Sequence, residues 1–286
     1  MEKRISSTSI KAFTLIELSI VLVIIGLIVG GILTGRELIK NAEIRNLISQ
    51  IDKLTTATNT FRVKYGYLPG DIPTPLATQF GFNARGPGAG QGDGNGIVTG
   101  YSGAGNVQAG ESLVFWVDLS TAKLIPLGFT LAVANQAGGV LSPLDSYIPK
   151  ANLGSNYIYV YAGGAFGGGT YNLNGTNYFG VSVITAVNTE IFSDTGLTVS
   201  QAYAIDTKTD DGMPQTGRVL AQYMNYALDT NTVTWAAGPA KGTAGTAAIA
   251  GSSTTCFDNN NIAGARVYSI SQNTDNLNCA LAFKFY

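Results

Sequence analysis

The chain has 286 residues, of which 12% are charged, with a formal net charge of −1 and no histidine. That length is enough for one sizeable core, while the near-neutral balance argues against a nucleic-acid binder that works through a Lys/Arg surface. Lack of histidine excludes histidine general bases, Ser-His-Asp triads and histidine-ligated metals.

The first element is the run KAFTLIELSIVLVIIGLIVGG, and from 13 to 35 the chain is apolar, small or hydroxylic except at Glu17. Such a run is long enough to cross a bilayer as a helix. Lys3, Arg4 and Lys11 precede it against a single Glu2, which favours a cytoplasmic N-terminal flank and places the bulk of the chain across the membrane. A cleaved secretory signal would have a shorter apolar run, and helical patterning here continues beyond it. A plain signal anchor leaves Glu17 unexplained, since a carboxylate in hydrocarbon costs ~2–3 kcal/mol or more unless paired or near the interface.

KAFTLIELSIVLVIIG resembles the processing site of type IV prepilins and type II secretion pseudopilins. The resemblance implies a leader, 1–12, removed by prepilin peptidase between Ala12 and Phe13, followed by N-methylation of Phe13. Glu17 then takes the place of the glutamate that serves methylation and assembly. Its carboxylate would pair with the Phe13 ammonium of a neighbouring subunit, where low dielectric makes an uncompensated charge costly and pairing fixes register. The family usually has glycine before the cut, where this chain has Ala12, also small. By the same resemblance the chain sits in a bacterial inner membrane as a single pass. Its head is then periplasmic, or extracellular in a filament. Its implied partners are prepilin peptidase, membrane lipid, an inner-membrane assembly platform, and copies of itself or other pilins and pseudopilins.

Beyond Gly35 the helical period continues. Ile44, Leu47, Ile48, Ile51, Leu54, Phe61 and Tyr65 form an apolar stripe, with polar residues such as Lys40, Glu43 and Asp52 between them. One helix is expected from Phe13 to Tyr65, with a lipid-soluble half (13–35) and an amphipathic half (36–66) carrying a head (67–286). Gly26, Gly30, Gly31 and Gly35 form small-xxx-small patterns, readable as close helix packing or as the ordinary tolerance of glycine in membrane helices.

YLPGDIPTP breaks the helix, and YGYLPGD resembles a prepilin-like subgroup with Leu-Pro-Gly-Asp at this point. The glycine-rich stretch that follows reads as a loop. Asp93, Asn95 and Gly96 are spaced like part of a calcium loop, but Gln91 and Ser102 stand where an EF-hand needs acidic ligands. ESLVFWVDLSTAKLIPLGF reads as a short amphipathic helix ended by Pro126. NYIYVYAGG and NYFGVSVIT read as strands of an antiparallel meander, whose tyrosines form either a half-buried face or a partner surface.

Thr198 and Gln201 form a capping-box pair opening a helix of one to two turns that reaches Ile205. Asp206, Asp210 and Asp211 then crowd the following loop, a run that also resembles the prepilin-like subgroup. They suit either Ca²⁺ or a solvated acidic turn locked by Lys208 and backbone amides. Cys256 and Cys279 are the only cysteines, and export makes a disulfide between them the better reading. ARVYSIS and CALAFKFY read as closing strands, and a disulfide-bounded loop ending on a strand resembles the variable region of type IV pilins.

The expected fold is therefore α+β and pilin-like: a long N-terminal helix packed on a head with an antiparallel sheet. No nucleophile elbow, dinucleotide fingerprint or Walker loop is present, so an enzyme is not expected. The expected function is a structural subunit of a type IV pilus or type II secretion pseudopilus. A membrane-tethered binding or adhesion protein that never polymerises is the alternative.

Overall fold

The computed structural model describes residues 14–83, 92–98, 110–130, 143–165, 171–187, 191–225, 232–236, 255–259, 266–270 and 275–285. It is α+β, and the chain divides into two compact units, Met1–Glu43 and Ile44–Tyr286. Helix α1, Leu15–Tyr65, contributes to both.

In the first unit α1 is an apolar helix without a core. Its side chains stand open, from Ile24 at 49% to Leu15 at 86% exposure, and the segment is long and apolar enough to cross a membrane. In the second unit the same helix buries Ile44, Leu47, Ile51, Leu54, Ala57, Thr58 and Phe61, the stripe its period requires. At Gly66 the backbone turns to positive φ, and its amide donates to the Arg62 carbonyl, closing the last turn.

Two shorter helices follow, α2 (Thr74–Gln79) and α3 (Glu111–Thr121). Helix α3 ends earlier than expected: the turn closes at Ala122, and Lys123 takes φ +56, so the chain has already left the helix before Pro126. Its Phe115 and Trp116 rings pack on Phe179 at 6.0 and 6.3 Å.

The main sheet is antiparallel. Strand β1 (Tyr157–Ala165) pairs with the 17-residue β2 (Tyr171–Val187), Val160 facing Phe179. The other edge of β2 is shared. Its 178–181 segment pairs with β9 (Leu281–Lys284), and 183–187 pairs with β3 (Ile191–Asp194). Strand β4 (Val219–Leu220) completes the order β1-β2-β9-β4. The expected meander holds only for β1–β2–β3, because a strand about a hundred residues further on occupies the edge beside β2.

A hairpin-like pair, β5 (Gln222–Asn225) with β6 (Thr232–Trp235), packs against β1, β2 and β3. That second layer buries Tyr159 and Tyr161 completely, so these two tyrosines offer no partner surface, and only Tyr157 is half-buried. The buried phenols are satisfied. Tyr159 accepts from Ser182 and from the Met224 amide, both at 3.1 Å, and Tyr161 accepts from Gln222 at 3.1 Å. Helix α4 runs Val199–Thr209, and β7 (Phe257–Asp258) pairs with β8 (Val267–Tyr268).

Candidate functional site

Four features stand out, three of them built around residues that the sequence singles out. The first is the start of α1. Thr14 is its N-cap: the Thr14 amide and hydroxyl both donate to Glu17 Oε2 at 2.8 Å, and the Glu17 amide donates back to Thr14 Oγ1 at 3.3 Å. This is a reciprocal capping box, Thr-x-x-Glu. Glu17 therefore has a task within its own chain, through the Thr-x-x-Glu pattern that the sequence carries at Thr14. Ala12 and Phe13 lie outside the described residues.

The second feature is the acidic segment after Thr198. The expected capping box is present, with the Gln201 amide on Thr198 Oγ1 at 3.1 Å and the Thr198 amide on Gln201 Oε1 at 2.9 Å. The helix is longer than expected. It continues through Asp206 and Lys208 to Thr209, because Val199, Ala202 and Ile205 all face the core. Asp206 is thus a buried helical residue and Asp210 the C-cap, rather than members of one loop.

The three carboxylates do converge, with one oxygen from each within 4.8 Å of the others. Asp206 accepts from Tyr268 Oη at 2.8 Å and from the Gly212 amide at 3.1 Å. Asp210 accepts from the Arg218 and Val219 amides, and Asp211 from the Met213 amide and the Thr216 hydroxyl. Burial pushes the Asp206 carboxyl up to about 6, against the hydrogen bonds from Tyr268 and Gly212 and reinforced by Asp211 and Asp210. Lys208, expected to lock the turn, has no ion pair among the described residues, and its side chain is exposed.

The third feature was not anticipated as a unit. Asp71 of Leu-Pro-Gly-Asp is buried and accepts from the Gly94 and Gly96 amides at 2.8 and 2.9 Å. Glu111, at the start of α3, accepts from the Gly92 amide at 2.8 Å. Asp118, one helical stretch later, accepts from the Gly70 amide at 2.7 Å. Asn177 on β2 accepts from the Val98 amide and donates to the Gly96 carbonyl, at 2.8 and 2.9 Å. Gly92, Gly94 and Gly96 all have positive φ, which turns successive amides towards the carboxylates.

Asp71, Asp93 and Glu111 also bring oxygens within 4.8 Å of one another. Burial raises the Asp71 carboxyl to about 7, opposed by the two amide bonds and helped by Asp93. Each acidic cluster is able to hold a hard cation through lone pairs not used by amides. In both, however, most of the charge is already met by protein donors. Gln91 and Ser102, the mismatched EF-hand positions, lie outside the described residues.

Cys256 and Cys279 are both buried and joined as a disulfide, with Cα atoms 4.8 Å apart. The Cys279 carbonyl accepts from the Gly196 and Leu197 amides, so the bridge ties β7–β8 to the entrance of α4 and to β9. Compared with protein-family models, with curated proteins and with solved structures, the chain matches none.

Proposed function

We propose that the chain is a structural subunit of a bacterial type IV pilus or type II secretion pseudopilus, inserted in the inner membrane and polymerised through α1. The observation that carries this reading is the division of labour within one helix. Its first part exposes an unbroken apolar surface, and its second part buries a stripe in an α+β head. Lipid covers such a surface before assembly, and neighbouring helices cover it afterwards. The Phe13–Glu17 spacing and the disulfide-bonded head agree with that class. Intact mass or N-terminal sequencing of protein from its own host tests the reading. A mature chain beginning at Phe13 is expected, and a retained Met1 or a cut near Gly31–Gly35 overturns it.

The Thr14–Glu17 capping box favours one rival, a tether that never polymerises, because it gives Glu17 a use in a monomer. Glu17→Gln separates the two. Glutamine keeps the capping box but removes the charge. Loss of filaments with normal membrane insertion supports a subunit whose charge serves assembly. Unchanged surface display without any filament in the parent protein supports the tether.

A further inference from the structure

A small cleft of about 250 Å³ opens in the second unit where α1, the end of α4, β4 and β9 meet. Its cations come from three separate elements: Lys208 from α4, Arg218 from the turn before β4, and Lys284 from β9. Lys208 and Arg218 are exposed, and neither makes an ion pair among the described residues. The Lys284 ammonium donates to the Gly217 carbonyl at 2.6 Å, which fixes it at the cleft but leaves its charge uncompensated. Asp52 of α1 is the one carboxylate in the lining. Three cations against one anion leave a lining charge of +2, and the Asp210 carboxylate, which accepts from the Arg218 and Val219 amides, stands beside them outside the lining.

The remainder of the lining is of two kinds. Ile51, Val219 and Phe283 are apolar and buried. Thr55 and Thr209 spend their hydroxyl protons on the Ile51 and Ile205 carbonyls, at 2.9 and 2.7 Å, and so present lone pairs only. The cleft therefore offers cations, an apolar wall and hydrogen-bond acceptors side by side. A ligand complementary to all three carries two negative charges, a carbon face and several hydroxyl donors. A phosphate monoester has the charge, being close to −2 at neutral pH. Arg218 suits it by its forked donors, and the two lysines act as point charges. A monosaccharide body has the carbon face and the hydroxyls, and the volume lies below that of drug-sized pockets.

We infer that the Lys208/Arg218/Lys284 cleft binds a sugar phosphate, with the phosphate on the three cations and the sugar hydroxyls on Asp52, Thr55 and Thr209. The phosphate monoester is able to arrive free or at the end of a glycan. Full-length protein in non-ionic detergent is titrated calorimetrically with glucose 6-phosphate, inorganic phosphate, and vesicles of phosphatidylglycerol, each against chloride of equal ionic strength. Glucose 6-phosphate is expected to bind at least tenfold more tightly than inorganic phosphate. Lys208→Gln and Arg218→Gln, both at exposed positions, should each weaken it tenfold or more without moving the melting temperature. Asp52→Asn should narrow the preference for the sugar over inorganic phosphate. Binding indistinguishable from the chloride control, binding unchanged in both cation variants, or a preference for vesicles over the soluble ester overturns the inference.

Discussion

Replacing both cysteines by alanine tests the head most directly. The bridge closes a loop of 23 residues in sequence separation. In the chain-entropy treatment a loop that size gives about 3.5 kcal/mol, from the unfolded ensemble alone. Alanine is the right replacement because both sulfurs are buried, and a serine hydroxyl there would add its own desolvation cost. The backbone bonds around Cys279 to Gly196 and Leu197 do not depend on sulfur and should survive. For a unit of this size ~2–4 °C is lost per kcal/mol, so Cys256→Ala/Cys279→Ala should melt roughly 7–14 °C lower. Differential scanning calorimetry reads the shift. Non-reducing mass analysis of the parent should show a loss of two hydrogens. A loss below about 1 kcal/mol, or two thiols alkylated in the native protein, would refute the reasoning.

Burial raises both Asp71 and Asp206, so the folded head holds these protons to higher pH than the unfolded chain. Linkage then requires urea stability to fall as pH rises from about 4 towards 7 and to level off above; Asp71→Asn should flatten the slope, and a rising midpoint over that window would contradict it. Gly180→Ala puts a Cβ 2.4 Å from the buried Tyr159 ring and should cost about 1–3 kcal/mol in denaturant titration, with no loss meaning that the ring has room to move. Thr198→Ala removes a capping box and should cost ~1 kcal/mol by the same assay. Because amides and hydroxyls already meet most oxygens of Asp206, Asp210 and Asp211, the head should melt alike in millimolar Ca²⁺ and in EDTA. A rise of several degrees that Asp210→Ala abolishes would instead make this cluster a cation site.

Local signals in the sequence were sufficient wherever the deciding contacts are local. The stripe of α1 and the Thr198–Gln201 cap are set by residues three or four apart, and both are where periodicity puts them. The length of α4 is hidden in the sequence because three aspartates look like loop chemistry, while the apolar spacing of Val199, Ala202 and Ile205 carries the helix onward. The fastening of the glycine-rich segment was invisible for a different reason. Asp71 reaches Gly94 and Gly96, Asp118 reaches Gly70, and Asn177 reaches Val98, over separations from 23 to 79 residues. No periodicity encodes such pairs. Tyr159 and Tyr161 look amphipathic in isolation, and only the β5–β6 layer makes them core.

The position of β9 also sets an order of events. Strand β9 follows β2 by about a hundred residues, yet it lies between β2 and β4. Until it arrives, the 178–181 edge of β2 has no strand partner, and β4 has no sheet to join. Cys279 stands two residues before Leu281, so the covalent bond forms at the entrance of that same late strand. A chain emerging N-terminus first thus carries an open sheet edge from the completion of β2 at Val187 until Leu281 is out. Cys279 and β9 belong to the same last stretch of chain, so a head shortened before it is recognisable by a bare strand edge and a free Cys256 thiol.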